Sequence, residues 1–482
     1  MFEKIVSAVN DVVWSPALVI LLISAGLYFT IRTRFVQIRR LKLMVKLLFA
    51  RKKEQEPIEV SGYSSEDDPP KTKGVSSFQA FCMALSGHVG TGNIVGVATA
   101  IALGGPGAIF WMWVIAFFGA STAFVESTLA QLYKFPHHSG WRGGPTTYID
   151  NGLKQRWLGI IFAIFTILGY GLLCVTVQAN GAASAAFNSF HLPTWVGGVL
   201  LATLLMLVVV GGMKRIANIA AVVTPIMATL YILFSLIIVA INYKAIPGMF
   251  GLIFSSAFGA NAAFGGIIGS AIAMGIKRGL YSNEAGQGGG AIASASADVS
   301  HPAKQGLVQA FSVYIDTLLI CTATALMILS SGTYNVFDAA GGMVFAGSPE
   351  LGDNYVRFTQ AAVDKVFQGF GGAFVSIALF FFVFTTMVAY YFYAESSIAY
   401  LCSTGGKHRP KLEKAVLWTY RAAIVSAIIF GAVREANVIW KIGDIGVGLT
   451  TWINVIVILI LCPQAIRALK DLEQKEKDGE LS

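Results

Sequence analysis

Long apolar runs alternate with short polar stretches along almost the whole chain. The runs lie near Val12–Ile31, Phe78–Leu103, Gly107–Tyr133, Leu158–Phe187, Thr194–Val210, Ala220–Asn242, Ala262–Ala297, Gly306–Leu329, Gly371–Cys402, Lys414–Ala432 and Val438–Cys462. Most reach the ~20 apolar residues that a membrane-crossing helix requires. The pattern predicts an all-α membrane protein with about eleven spans, one leading helix followed by ten.

Two runs are interrupted. FQAFCMAL (78–85) and VATAIAL (97–103) are each too short to cross, and SGHVGTGNIVG (86–96) lies between them. Glycines disfavour a helix interior by roughly 0.5–1 kcal/mol each relative to alanine. Inside a bilayer, broken backbone is tolerated only where protein or a watery cavity surrounds it. The second interrupted run contains GSAIAMGIKRGLYSNEAGQGGGAIA, with Lys277, Arg278, Asn283 and Glu284 inside it and the break expected over Met274–Gly290. Charges at that depth are costly and mark a cavity, a partner or a structural pair such as Arg278 with Glu284.

Position adds to composition. If the ten spans form two halves of five, one interrupted helix opens each half, the arrangement that marks a secondary-transporter site. The expected units are a leading helix (1–35), a cytoplasmic amphipathic helix and linker (36–77), a first repeat (78–243), a second repeat (244–463) with a long outer loop (330–369), and a cytoplasmic tail (464–482). A half-helix amino terminus suits a carboxylate. Unwound carbonyls and hydroxyls suit a hard cation such as sodium, or an ammonium group.

The chain has 482 residues, 55% hydrophobic and 13% charged, with 51 glycines. Charged residues are about 25% of an ordinary soluble domain. A net charge of +9 raises nucleic acid as a partner, but the basic residues gather in alternate loops, as membrane orientation requires. Arg32 to Lys53 place the first loop in the cytoplasm and the amino terminus outside, and a few basic residues, such as Lys244, Arg357 and Arg434, fall in outer loops. The amino terminus lacks the marks of a cleavable signal. The five cysteines form no CxxC pair and read as core thiols. The stretch 36–50 has the spacing of an interfacial helix, and the polar, Pro-containing stretch after it reads as a tether.

GGPGAIFWMWVIAFFG (104–119), VGTGNI (89–94) and RGLYSNEAG (278–286) closely resemble blocks of the alanine or glycine:cation symporters, of the APC superfamily. The resemblance covers essentially the whole chain. It implies a sodium- or proton-coupled carrier for alanine, glycine or a related small amino acid in the cell (inner or plasma) membrane, with a LeuT-like five-plus-five inverted repeat. It also implies that the amides of Gly90, Thr91 and Gly92 receive the substrate carboxylate, with Asn93, Gln178 and Tyr390 in the pocket. From the second interruption, Met274, Gly275, Tyr281, Ser282 and Asn283 are candidates. The carbonyls near Ser86 and Val89, with Thr385 and Thr386, would hold sodium, and Asn93 would ligate a second ion if there is one. His88 stands where the family favours a small residue; it, Arg278 and Glu284 are candidates for gating or proton transfer. GQGGGAIA (286–293) and Tyr390 also depart from the family pattern, which bears on substrate identity.

The partners implied are a small amino acid, sodium or a proton, and the bilayer, with no cofactor, no other metal and no nucleic acid; a monomer suffices. Proton coupling through His88 or Glu284, and a different neutral amino acid such as glutamine, are the alternatives. An enzyme would need acid–base or metal residues at one depth. Glu126, Asp316 and Asp444 fall singly in separate spans, and His137 and His138 lack an HExxH companion. A channel would want rings of groups along a continuous pore.

Overall fold

The computed structural model describes residues 1–49, 74–261, 264–403 and 409–479. The tether expected after residue 50 falls largely outside them. An amphipathic helix, α1 (Phe2–Val13), leads into α2 (Pro16–Arg32), and two short helices follow, α3 (Val36–Arg39) and α4 (Leu41–Leu48), where the interfacial helix was expected. Next come α5 (Ser77–His88), α6 (Val97–Gly104) and α7 (Gly107–Leu132). A hairpin, β1 (Phe135–His137) and β2 (Gly140–Arg142), and the short α8 (Pro145–Thr147) occupy the following loop.

The chain continues through α9 (Arg156–Leu168), α10 (Val175–Phe190), α11 (Thr194–Val209), α12 (Gly212–Ile241) and α13 (Ile246–Ala257). The second half holds α14 (Ile268–Asn283), α15 (Gly289–Ala295), α16 (Pro302–Val313) and α17 (Thr322–Ser331). The long loop after α17 contains a second hairpin, β3 (Asn335–Phe337) with β4 (Met343–Ala346), and α18 (Tyr355–Asp364). Three long helices finish the chain: α19 (Gly371–Cys402), α20 (Pro410–Val433) and α21 (Ala436–Lys477).

Among the described residues, 8 helical stretches are long and apolar enough to cross a membrane, or up to 9 if the bent pair α5–α6 is one span. That is fewer than eleven. The shortfall lies in α11, which has 16 residues, and in the α14–α15 pair, neither of which meets the length and apolarity needed. Helices nevertheless occupy all eleven expected places. The sequence pattern did not anticipate α13 or α18, because both are short helices in stretches read as connections.

The outer surface explains why these helices need a bilayer. On α12, Val222, Ile226, Leu230, Leu233, Leu236, Ile237 and Ile241 are all exposed. A continuous apolar face of this kind would be a liability in water and is the ordinary solution in lipid. Inside, glycine permits close approach: a methyl at Gly275 would run into Ala108 O, and one at Gly279 would lie 2.5 Å from Ile115 Cγ2. Small residues at such crossings let backbones meet, the usual means of helix association without a hydrophobic drive. At one end of the bundle, Arg39 pairs with Glu473 at 2.6 Å and Arg40 with Glu476 at 2.7 Å, joining α3 and its following residue to the end of α21. All five cysteines are buried and free.

Candidate functional site

The first interruption begins with a well-capped helix. Ser76 and Gln79 form a reciprocal capping box at the start of α5, which ends at His88. Val89 and Gly90 leave the helix, a π-helical turn covers Gly92–Gly96, and α6 resumes at a 50° bend. The backbone groups freed there are taken by side chains. Gly90 N–H donates to Asn93 Oδ1 at 2.8 Å, and Thr91 N–H donates to Gln178 Oε1 at 2.9 Å. Two of the three amides expected to receive a carboxylate therefore already carry side-chain oxygens.

On the other side of this break stands α19. Thr386 Oγ1 is 2.8 Å from Ser86 O, 3.0 Å from Val89 O and 2.8 Å from Phe382 O. A hydroxyl has one proton, so these carbonyls cannot all be hydrogen-bonded at once, and the remaining approaches bring oxygen lone pairs together. Oxygen clusters of this kind suit hard cations. Thr385 is placed differently. Its hydroxyl lies against Phe381 O and Phe382 O of its own helix and 3.7 Å from Met227 Sδ, so it points away from the carbonyl pair. Ser86 itself bonds Thr224 Oγ1 at 2.6 Å through its hydroxyl.

A carboxylate that the sequence offered only as a lone acid joins the two halves. Asp316 accepts from Asn93 Nδ2 at 2.6 Å, from Ser282 Oγ at 2.8 Å and from Thr317 Oγ1 at 2.7 Å. Asn283 Nδ2 donates to Thr317 at 3.2 Å. Asn93, Ser282 and Asn283 thus meet around Asp316, which lies in a π-helical stretch, Tyr314–Cys321, between α16 and α17. Apart from the wide helical turn, nothing local in the sequence marks this residue; its partners lie 34 and 223 positions away.

The second interruption sits further along than expected. α14 is continuous through Met274 and Gly275 to Asn283, and the break is confined to Glu284–Gly288. Met274 Cβ lies 3.1 Å from the methyl position of Gly104, and Gly275 packs on Ala108 and Trp111. Both therefore serve helix contacts and do not line the break. Glu284 adopts a left-handed conformation, φ 54°, rare for a residue with a side chain. Gly286 and Gly288 follow at φ 86° and 95°, where glycine is the residue that fits without strain. Glu126 and Asn454 hold the loop: Gly286 N–H donates to Glu126 Oε1 at 3.3 Å, and Asn454 Nδ2 donates to Gly286 O at 2.9 Å and Glu126 Oε2 at 2.9 Å.

Glu284 does not pair with Arg278. Arg278 Nη2 contacts Asp444 Oδ2 at 2.5 Å and lies over the Trp440 ring at 4.5 Å, with Lys277 sharing Asp444 at 2.8 Å. The arginine is thus held in a structural ion cluster. Glu284 instead lies 3.9 Å from His88 Nε2, and no donor makes a well-formed hydrogen bond to either of its buried oxygens. Tyr170, Tyr390 and Tyr393 surround it in tilted and edge-to-face contacts, with ring centroids 5.1–6.0 Å apart. Thr91 Oγ1 and Tyr281 OH are also buried without hydrogen-bond partners. Tyr281 lies tilted against Trp440, ring centroids 5.1 Å apart, and its Cδ1 lies 3.3 Å from the methyl position of Gly92. The two breaks are therefore adjacent, and unbonded polar atoms lie between them.

The profile of the sodium:alanine symporter family matches residues 1–482. The chain belongs to that family. It is 49% identical to the putative sodium/proton-dependent alanine carrier protein YrbD of Bacillus subtilis over 98% of this chain and 93% of that protein. Identity to the sodium/proton-dependent alanine carrier protein of Bacillus sp. strain PS3 is 47%, over 84% of this chain and 90% of that one. The probable sodium/glutamine symporter GlnT of Bacillus subtilis is 38% identical over 99% of this chain and 92% of its own. The fold is shared with a manganese transporter of Eremococcus coleocola, solved as a point mutant, at TM-score 0.51 and 14% identity over 81% of this chain and 77% of that one.

Proposed function

We propose that this family member carries alanine or a related small neutral amino acid across the cell membrane by symport with sodium, through alternating access around the two interrupted helices. The observation that carries the reading is the convergence of Thr386 Oγ1 on the carbonyls of Ser86 and Val89 across the first break. Sodium sits among these oxygens. The substrate carboxylate takes the amides of Gly90 and Thr91, displacing the side-chain oxygens of Asn93 and Gln178 that hold them otherwise. Asn93, released at its oxygen, stays tied to Asp316 through its nitrogen, so substrate binding is felt by Ser282 and Asn283 on the opposite break. Tyr281 and Tyr390 enclose the apolar end, which favours a small substrate over one with a long side chain.

A five-plus-five repeat accounts for the architecture: α5–α6 through α12 form one set and α14–α15 through α21 the other, each opened by its interrupted helix, with α1 and α2 outside. The amino terminus lies outside the cell on this reading. Support for α1–α3 running alongside α21 with the same polarity comes from Lys441 against Ser7 of α1 at one end, 3.3 Å, and Arg39 of α3 against Glu473 at the other.

The test is uptake of labelled alanine into proteoliposomes with an inward sodium gradient, against choline, with glycine and glutamine as competitors. Sodium-driven accumulation inhibited by unlabelled alanine is the expected result; equal uptake in choline contradicts it. Proton coupling is the second reading, favoured by the unbonded Glu284 carboxyl beside His88. Accumulation driven by a pH gradient alone, and lost in Glu284→Gln, would establish it.

A further inference from the structure

The hairpin β1–β2 assembles a second cluster, away from the interrupted helices. His137 closes β1, His138 begins the turn, and Glu413 lies in the first turn of α20. One ligand atom from each lies within 4.8 Å of the others. His137 Nε2 stands 3.4 Å from each carboxylate oxygen of Glu413. Zinc–nitrogen and zinc–oxygen bonds of about 2.0–2.1 Å put neighbouring ligands of a tetrahedral ion about 3.4 Å apart. The His137–Glu413 pair thus already has the spacing of one tetrahedral edge. His138 is exposed, and its ring centroid lies 4.0 Å from that of His137.

The surroundings fit the same role. His137 Nδ1 is 2.8 Å from Ser139 Oγ, which also accepts from Arg142 Nη2 at 3.0 Å. The Ser139 N–H also donates to Nδ1 at 3.4 Å, so without metal the ring proton rests on Nε2, towards Glu413; a metal taken at Nε2 releases that proton, and Nδ1 stays held by Ser139. Ligating histidines ordinarily have their second nitrogen fixed in this way. Arg142, a cation beside the cluster, is paired with Glu395 at 3.3 Å.

We propose that His137, His138 and Glu413 form a binding site for a divalent transition ion, zinc by ligand chemistry, that ties the hairpin to the first turn of α20. Two imidazoles and a carboxylate suit zinc, cobalt and nickel, whereas calcium and magnesium prefer all-oxygen sets. A water completes the fourth position.

The experiment uses the full-length carrier in detergent, with any affinity tag removed. Zinc affinity is read by competition with a chromophoric chelator, and cobalt binding by visible d–d absorption. One zinc per chain is expected, with tetrahedral cobalt bands. His137→Ala and Glu413→Gln should abolish the bands and weaken zinc at least about 10-fold; Ser139→Ala should weaken it by about 10–100-fold, as loss of an orienting group does. Zinc should also raise the melting temperature of the wild type and leave that of His137→Ala unchanged. If Glu413→Gln does not elute as a folded protein, His138→Ala, altered at an exposed turn, gives the same readout. Absence of cobalt bands, or zinc binding that survives both histidine substitutions unchanged, overturns the site.

Discussion

The two interrupted helices solve one problem in opposite ways. At the first break, the freed groups are taken by neutral side chains, one from the break itself and two from other helices: Asn93 and Gln178 on the amides of Gly90 and Thr91, and Thr386 on the carbonyls of Ser86 and Val89. At the second, the loop is clamped at Gly286 by Glu126 and Asn454, while Glu284 holds a left-handed turn beside Tyr390 and Tyr393 with no well-formed hydrogen bond to either carboxyl oxygen. A buried polar atom without a partner costs about 1–3 kcal/mol, and more when charged. The first break is therefore a set of matched acceptors and donors that a ligand can replace one for one. The second keeps a reserve of unmatched polarity that a ligand, an ion or a proton can satisfy. The difference suggests that sodium and the substrate carboxylate belong to the first break, and that the second responds to them.

The largest effect should come from filling the first break. A methyl at Gly90 would lie 2.6 Å from Thr386 Oγ1 and 2.7 Å from Gln178 Oε1. Gly90→Ala should remove alanine uptake while the protein still reaches the membrane at normal abundance. Retained uptake would mean that neither oxygen faces the ligand. Next is Glu284→Gln, which removes the titratable carboxyl and keeps the shape. Uptake should fall about 10-fold, equivalent to about 1.4 kcal/mol, with the sodium concentration for half-maximal uptake unchanged. A large sodium shift there would merge the two breaks into one site and end the contrast drawn between them.

Gln178→Ala should be milder. One neutral hydrogen bond contributes about 0.5–1.5 kcal/mol, so apparent alanine affinity should change about 2- to 10-fold, read from concentration-dependent uptake, with the sodium response intact. The smallest effect lies outside the membrane, at Lys134. Its ammonium is buried, donating to Gln131 Oε1 and Ala297 O at 2.8 Å each, and burial lowers its pKa to about 8 from 10.5. The unfolded chain binds this proton more tightly than the folded one, so stability rises as the pH increases from about 8 towards 10.5. Thermal unfolding across that interval should show the rise, and Lys134→Met should flatten it.

How much of this was legible in the sequence follows from distance along the chain. The first interruption is local: four glycines within eleven residues, flanked by half-length apolar runs, mark Ser86–Gly96 without further information. The second was displaced, because Gly275 and Gly279 look like helix breakers and instead admit α7. Glycine spacing alone does not distinguish a bend from a close crossing. Asp316 and Asp444 escaped because each depends on partners brought from other helices, and a single acid in an apolar run carries no mark of who will meet it. The same holds for His137 and His138, whose carboxylate companion is 276 positions away. Thr385 and Thr386 are adjacent and chemically alike, and only the rotation of α19 separates them.

That rotation gives the most direct test of the central claim, that the first break holds the coupling cation. Alanine uptake into proteoliposomes should be titrated with sodium for wild type, Thr385→Ala and Thr386→Ala. Loss of one oxygen ligand should raise the half-saturating sodium concentration of Thr386→Ala by at least about 10-fold, about 1.4 kcal/mol, with Thr385→Ala close to wild type. Superimposable sodium curves for Thr386→Ala and wild type would contradict the account.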